Sequence, residues 1–191
     1  MPVHFNSRKD DMDRLHTGGM LTEFNCASIN VTQPGGKWTS GLGSTNTMVE
    51  TTDLCDDHLL SWIGWEYKPY YPITGASYSV WRPDGSINSE FLATLARTYP
   101  TEVAGRTQGF SFNNSTAEFW LNYTTTPASS LQNSTVYLHE LYHYPNGYEM
   151  EFLNNNEHLF KVSKPMTNYI SLAPAGEVPE GTEINIRITR K

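Results

Sequence analysis

Hydrophobic and polar positions along this chain change rhythm near its midpoint. In the first half, apolar residues cluster at helical spacing or in brief runs. Ser7 to His16 predicts a helix: Ser7 suits its N-cap, Asp10 and Asp11 its first turn, and Met12 and Leu15 share a face. Gly18-Gly19 ends it, and Met20-Leu21-Thr22-Glu23-Phe24 reads as a brief buried strand with Glu23 at its C-terminal end. Thr45 to His58 predicts a second helix and Leu59 to Tyr67 a second buried strand. Asn88 to Arg97 predicts a third helix, with Phe91, Leu92 and Leu95 as its stripe and Tyr99-Pro100 closing it. This order is the alternation of a parallel α/β sheet. Ligands bind at the carboxyl ends of such strands, so Glu23 is expected to be half of a catalytic carboxylate pair.

Beyond residue 99 the period falls to two. Short strands are predicted at 103–105, 109–112, 118–123, 135–138, 148–152, 158–162, 169–172 and 184–188. Turn residues such as Asn113-Asn114-Ser115 and Pro145-Asn146-Gly147 separate them, the spacing of an antiparallel sandwich. Two domains are expected, 1–98 and 99–191, and no internal repeat is evident.

Composition narrows the class. Charged residues are 17% and aromatics 13%, which fits a folded β-rich chain with a polar, uncharged surface. A net charge of −7 without a basic block argues against nucleic acid as a partner. No apolar run approaches the roughly 20 residues of a membrane span. Five Asn-x-Ser/Thr sites, at Asn30, Asn113, Asn114, Asn122 and Asn133, favour passage through the secretory pathway. The N-terminus has no apolar core of a signal peptide, so the true start is expected upstream of Met1. Secreted, extracellular or lysosomal residence follows as an expectation. Two cysteines, Cys26 and Cys55, allow one disulfide in an oxidising compartment; two buried thiols are the alternative.

Candidate chemistry is sparse. Residues 28–44 form a long Gly/Ser/Thr/Pro-rich loop, and Trp38 within it suggests a functional loop. Trp62 and Trp65 lie near the end of the second strand, where an indole face beside a carboxylate suits the apolar face of a sugar. Alternation puts the two on opposite faces, and Trp62 reads as core. His139-Glu140-Leu141-Tyr142-His143 matches the H-E-x-x-H zinc pattern, which needs a helix and a third ligand. Strand-like residues precede it and a turn follows, so it reads as strand, with its histidines roughly 13 Å apart. No metal or cofactor is expected. Asp53, Asp56, Asp57 and His58 read as a solvated helix face.

Together these residues resemble a known family. Met20-Leu-Thr-Glu-Phe24, Glu50-Thr-Thr-Asp53 and Leu60-Ser-Trp-Ile-Gly-Trp-Glu-Tyr-Lys68 resemble the last two barrel strands of glycoside hydrolase family 5, with the endoglycoceramidases most similar. Arg97 to Gly105 resembles the junction with their C-terminal β-sandwich, and His143-Tyr-Pro-Asn-Gly147 a hairpin within it. The implied fold is the remnant of a (β/α)8 barrel followed by an antiparallel sandwich.

The resemblance implies a retaining β-glycosidase that cuts between sugar and ceramide in glycosphingolipids, with membrane or micelle contact allowed. Glu23 matches the nucleophile and Trp65 the platform under the sugar at the scissile bond; Trp38 is expected to contribute to substrate binding. Asn25 departs from the small residue usual after Glu-Phe, though Asn tolerates a left-handed backbone. Retention takes two carboxyl groups about 5–5.5 Å apart. The family's acid/base Glu follows Asn near the end of strand four, and no Asn-Glu occurs near Glu23; Asn156-Glu157 lies in the sandwich. The expectation is a fragment that is inactive alone, with Leu60, Trp62, Ile63 and Trp65 partly solvated. Glucosylceramidase and endoglucanase are the alternatives within the class. Outside it, the alternative is a non-catalytic lipid- or carbohydrate-binding sandwich with a vestigial barrel segment.

Overall fold

The computed structural model describes residues 2–24, 45–68, 79–82, 84–127 and 132–191. The chain divides into two compact units, Met1–Leu95 and Ala96–Lys191.

In the first unit, helix α1 (Pro2–Leu15) leads to strand β1 (Met20–Phe24), helix α2 (Thr45–Asp57), strand β2 (Ser61–Gly64) and helix α3 (Ser89–Leu95). α1 starts earlier than expected and Ser7 lies inside it. Pro2 suits a first helical position, and Phe5 packs against His58 at 5.8 Å, so the first turn has a tertiary partner. β1 and β2 run parallel, with Met20 opposite Ser61 and Leu21 opposite Trp62.

Neither strand is buried, contrary to the pattern's promise. Met20 is 56% exposed and Ile63 53%, because the sheet holds only these two strands among the described residues. A two-stranded sheet leaves an edge on each side and cannot cover both faces. The partial solvation expected of Leu60, Trp62, Ile63 and Trp65 is observed. The small core is Met48 and Phe91, packed by Phe24, Val80 and Leu95. The acidic end of α2 is not wholly solvated: Asp56 is buried, while Asp57 is exposed.

The second unit is an antiparallel sandwich. One sheet has the order β4 (Arg106–Phe112), β5 (Phe119–Thr124), β10 (Glu183–Arg190), β7 (Tyr148–Phe152). The other runs β3 (Tyr99–Glu102), β6 (Ser134–Tyr137), β9 (Tyr169–Pro174), β8 (Phe160–Ser163). Alternation is clean in β5, β6 and β10, whereas in β9 the three successive residues Ile170, Ser171 and Leu172 are all buried. Phe119, Leu121 and Tyr123 of β5 and Ile184, Ile186 and Ile188 of β10 point inward to meet Val136, Ile170 and Leu172. Arg97 is buried in this unit, its guanidinium 5.3 Å from the Phe112 ring and donating to the Phe112 carbonyl at 3.1 Å.

Four details differ from expectation. Tyr99-Pro100 begins a strand rather than closing a helix, and 103–105 lies outside strands. Among the described residues β3 is an edge strand paired with β6, a position that tolerates the missing proline N–H. Glu157–Leu159 forms a 3-10 turn before β8. Glu140–His143 is one helical turn, α4, not strand.

Candidate functional site

β1 ends at Phe24, so Glu23 stands at its penultimate position, exposed, with Thr22 exposed before it. Trp65 follows the last residue of β2. Its backbone amide donates to the carbonyl of Phe24 at 2.7 Å, extending the parallel pairing past the end of β2. The two strand ends are therefore adjacent, and both Glu23 and Trp65 open to solvent, Trp65 at 40% exposure. Trp62 has a different setting: half-buried, edge-on to Phe24 with centroids 5.8 Å apart.

The peptide bond between Trp65 and Glu66 is cis. Residues 66 and 67 then pair with a later segment. The Val80 amide donates to the Glu66 carbonyl at 3.2 Å, and the Trp81 amide to the Tyr67 carbonyl at 3.1 Å. Tyr67 and Trp81 meet edge to face at 6.5 Å. Glu66 is buried and Tyr67 exposed. Glu66 and Trp81 were not singled out from the sequence. Glu66 carried a signal, a carboxylate directly after the strand-end tryptophan; Trp81, amid turn residues, carried none.

Chemically, the adjacent strand ends carry an exposed carboxylate on one and an exposed indole on the other. That pairs a nucleophilic or hydrogen-bond-accepting group with an apolar platform, a combination suited to a sugar.

Other expected positions fall elsewhere. Asn25, Cys26, Asn30 and Trp38 lie outside the described residues. Cys55 is buried in α2. Asn113 is exposed, and its Oδ1 accepts from the amides of Ser115 and Thr116 at 2.9 and 3.0 Å. Asn114 is half-buried. Asn122 is half-buried in β5, its side-chain amide donating to Glu183 at 2.8 Å. Asn133 is exposed just before β6.

The H-E-x-x-H motif needs correcting on its backbone. It is helical because Glu140 has tertiary partners: its amide donates to Asn168 Oδ1 at 3.1 Å, and its carboxylate accepts from the Asn168 amide at 2.8 Å. Lys164 completes the set at 2.6 Å and holds the Glu140 carboxyl below the usual range. His143 is buried edge-on to Phe112 at 4.9 Å, and burial pushes His139 below its ordinary value. All three side chains thus have structural surroundings. Among the described residues no group of three or more His, Cys, Asp or Glu could hold a metal ion, and no helix is long and apolar enough to cross a membrane.

Residues 97–188 match the glycoside hydrolase family 5 C-terminal domain. The chain is 35% identical over 178 residues to an endoglycoceramidase of Hydra vulgaris, covering 93% of this chain and 31% of that protein. It is 33% identical over 150 residues to an endoglycoceramidase of Cyanea nozakii, covering 76% and 28%. The chain thus spans about a third of the length of these curated relatives. Its fold resembles part of endo-glycoceramidase II from a Rhodococcus species, with TM-score 0.65 at 15% identity, over 99% of this chain and 38% of that one. It also resembles part of sterylglucosidase 1 of Cryptococcus neoformans, with TM-score 0.71 at 15% identity, over 96% and 30%. Residues 97–188 are therefore similar to the C-terminal domain of glycoside hydrolase family 5, and the whole chain resembles the C-terminal part of an endoglycoceramidase.

Proposed function

We propose that the chain carries the nucleophile and the C-terminal sandwich of a retaining glycosidase acting on glycosphingolipids. In this reading β1 and β2 are neighbouring strands of a (β/α)8 barrel, and further strands cover the edges and faces they leave open. The carboxylate of Glu23 attacks the anomeric carbon. The sugar–ceramide bond breaks as a second carboxyl group protonates the departing ceramide oxygen. Water then hydrolyses the glycosyl-enzyme, with the second group acting as base. Trp65 stacks on the sugar at the scissile bond, and Trp38 adds a further substrate contact.

The observation that carries this reading is the hydrogen bond from the Trp65 amide to the Phe24 carbonyl, which sets Glu23 and Trp65 at adjacent strand ends. The relatives' names supply the substrate class. We assign the second carboxyl to none of the described residues, and the chain alone is accordingly inactive. Its sequons fit a secreted or lysosomal protein, with Asn113 and Asn133 the exposed acceptors among the described residues.

The test is covalent trapping with a 2-fluoro β-glycoside, using a protein that joins this chain to the rest of a barrel. Peptide mapping should find the label on Glu23; a label on any other carboxylate overturns the reading.

A further inference from the structure

Two short segments of the sandwich hold large apolar side chains out in water. Leu141, in α4, is 74% exposed, and Met166, between β8 and β9, is 61% exposed. These segments are fixed to each other. The Glu140 carboxylate accepts from the Asn168 amide at 2.8 Å and from the Lys164 ammonium at 2.6 Å, while its amide donates to Asn168 Oδ1 at 3.1 Å. Leu141 is one residue from this clamp and Met166 two residues from either anchor. Beside them Tyr142, half-buried, lays its ring 4.8 Å from that of His139. Exposed apolar groups on a braced tip gain free energy by leaving water, and the brace limits the entropy lost on doing so.

We propose that α4 and the 164–168 segment form a tip that enters the headgroup layer of a neutral or zwitterionic lipid surface. Two exposed side chains fall far short of the about 800 Å² per partner that a stable protein interface buries. A lipid surface asks less: apolar side chains reaching the acyl boundary, with an amphipathic ring such as that of Tyr142 at headgroup level. Charge selects the lipid. The ammonium of Lys164 is paired with Glu140, and a chain of net charge −7 is repelled by an anionic leaflet. The proposal rests on the glycosphingolipid reading for its purpose, since it names the surface that meets the membrane displaying the substrate.

The experiment is co-sedimentation of the 191-residue chain with phosphatidylcholine vesicles that contain no glycolipid. The chain should partition onto them, and no more strongly onto phosphatidylserine vesicles. The double variant Leu141→Ser/Met166→Ser should lower partitioning about tenfold or more. Leu153→Ser, which removes an exposed apolar side chain elsewhere on the sandwich, should change it by less than about twofold. Circular dichroism and thermal melting of each variant establish that it is folded; a double variant that fails to fold is replaced by each single one. Absence of partitioning, a partition unchanged by the tip substitutions, or an equal loss with Leu153→Ser overturns the proposal. Because the vesicles hold no substrate, that failure stays separate from the trapping experiment on Glu23.

Discussion

The Trp65 amide and the Phe24 carbonyl are joined by a 2.7 Å hydrogen bond, so the chain leaving β2 stays tied to the end of β1. This pairing brings the backbone ends of β1 and β2 together, with Glu23 and Trp65 both exposed there. Function and stability should therefore separate at Glu23. Glu23→Gln is expected to change unfolding free energy by no more than about 0.5 kcal/mol, as at other exposed positions. In a barrel-complete protein the same substitution should cost at least about a thousandfold in hydrolysis, the scale of removing a nucleophile. Thermal melting and turnover of one variant check both halves.

Tyr144 contributes to the alkaline limit of the sandwich. Its hydroxyl is buried, 2.9 Å from Thr98 Oγ1, and donates to the Ala117 carbonyl at 2.9 Å. Burial, only partly offset by Thr98 and Arg190, pushes its pKa from 10.0 up to about 12. Folding thus favours the neutral phenol. That contribution, of the order of 2–3 kcal/mol, is complete below pH 10 and is lost as pH rises toward 12. Urea midpoints measured from pH 9 to 12 should fall over this window. Tyr144→Phe should lower the midpoint at pH 7 by the equivalent of about 1–3 kcal/mol and flatten the fall above pH 10.

Gly105 admits no side chain. Its φ is +154°, and an added Cβ would come within 2.3 Å of the Thr124 carbonyl oxygen, which is backbone and cannot swing aside. Gly105→Ala should destabilise the sandwich by more than about 1 kcal/mol, measured by denaturant unfolding.

The His139–His143 motif should be indifferent to metal. His143 packs on Phe112, and Glu140 is held by Asn168 and Lys164. Added zinc, or a chelator, is expected to leave the melting temperature unchanged; a zinc-dependent rise would show that these residues do bind the ion.

The rhythm of apolar residues was legible in the inner strand β10. Ile184, Ile186 and Ile188 alternate inward in β10, between β5 and β7, and the pattern showed it. It misled where a tertiary partner decided the backbone. Asn168, 28 residues after Glu140, turns a strand-like run into a helical turn, and no local periodicity reports such a contact. Pro100 read as a stop because local sequence does not reveal whether a strand lies at an edge. Met20 read as buried because a pattern shows which side chains seek cover, not whether cover is there. At the site, Glu23 and Trp65 stood out by position and by resemblance, whereas Glu66 and Trp81 emerged only once 66–67 was seen to pair with 80–81.

The most direct measurement is hydrolysis of a fluorescent ganglioside by the 191-residue chain alone, run beside its Glu23→Gln variant. A nucleophile without its acid/base partner predicts no turnover above the blank for either protein. Turnover by the chain that Glu23→Gln abolishes would contradict this, because the second carboxyl would then lie within these residues.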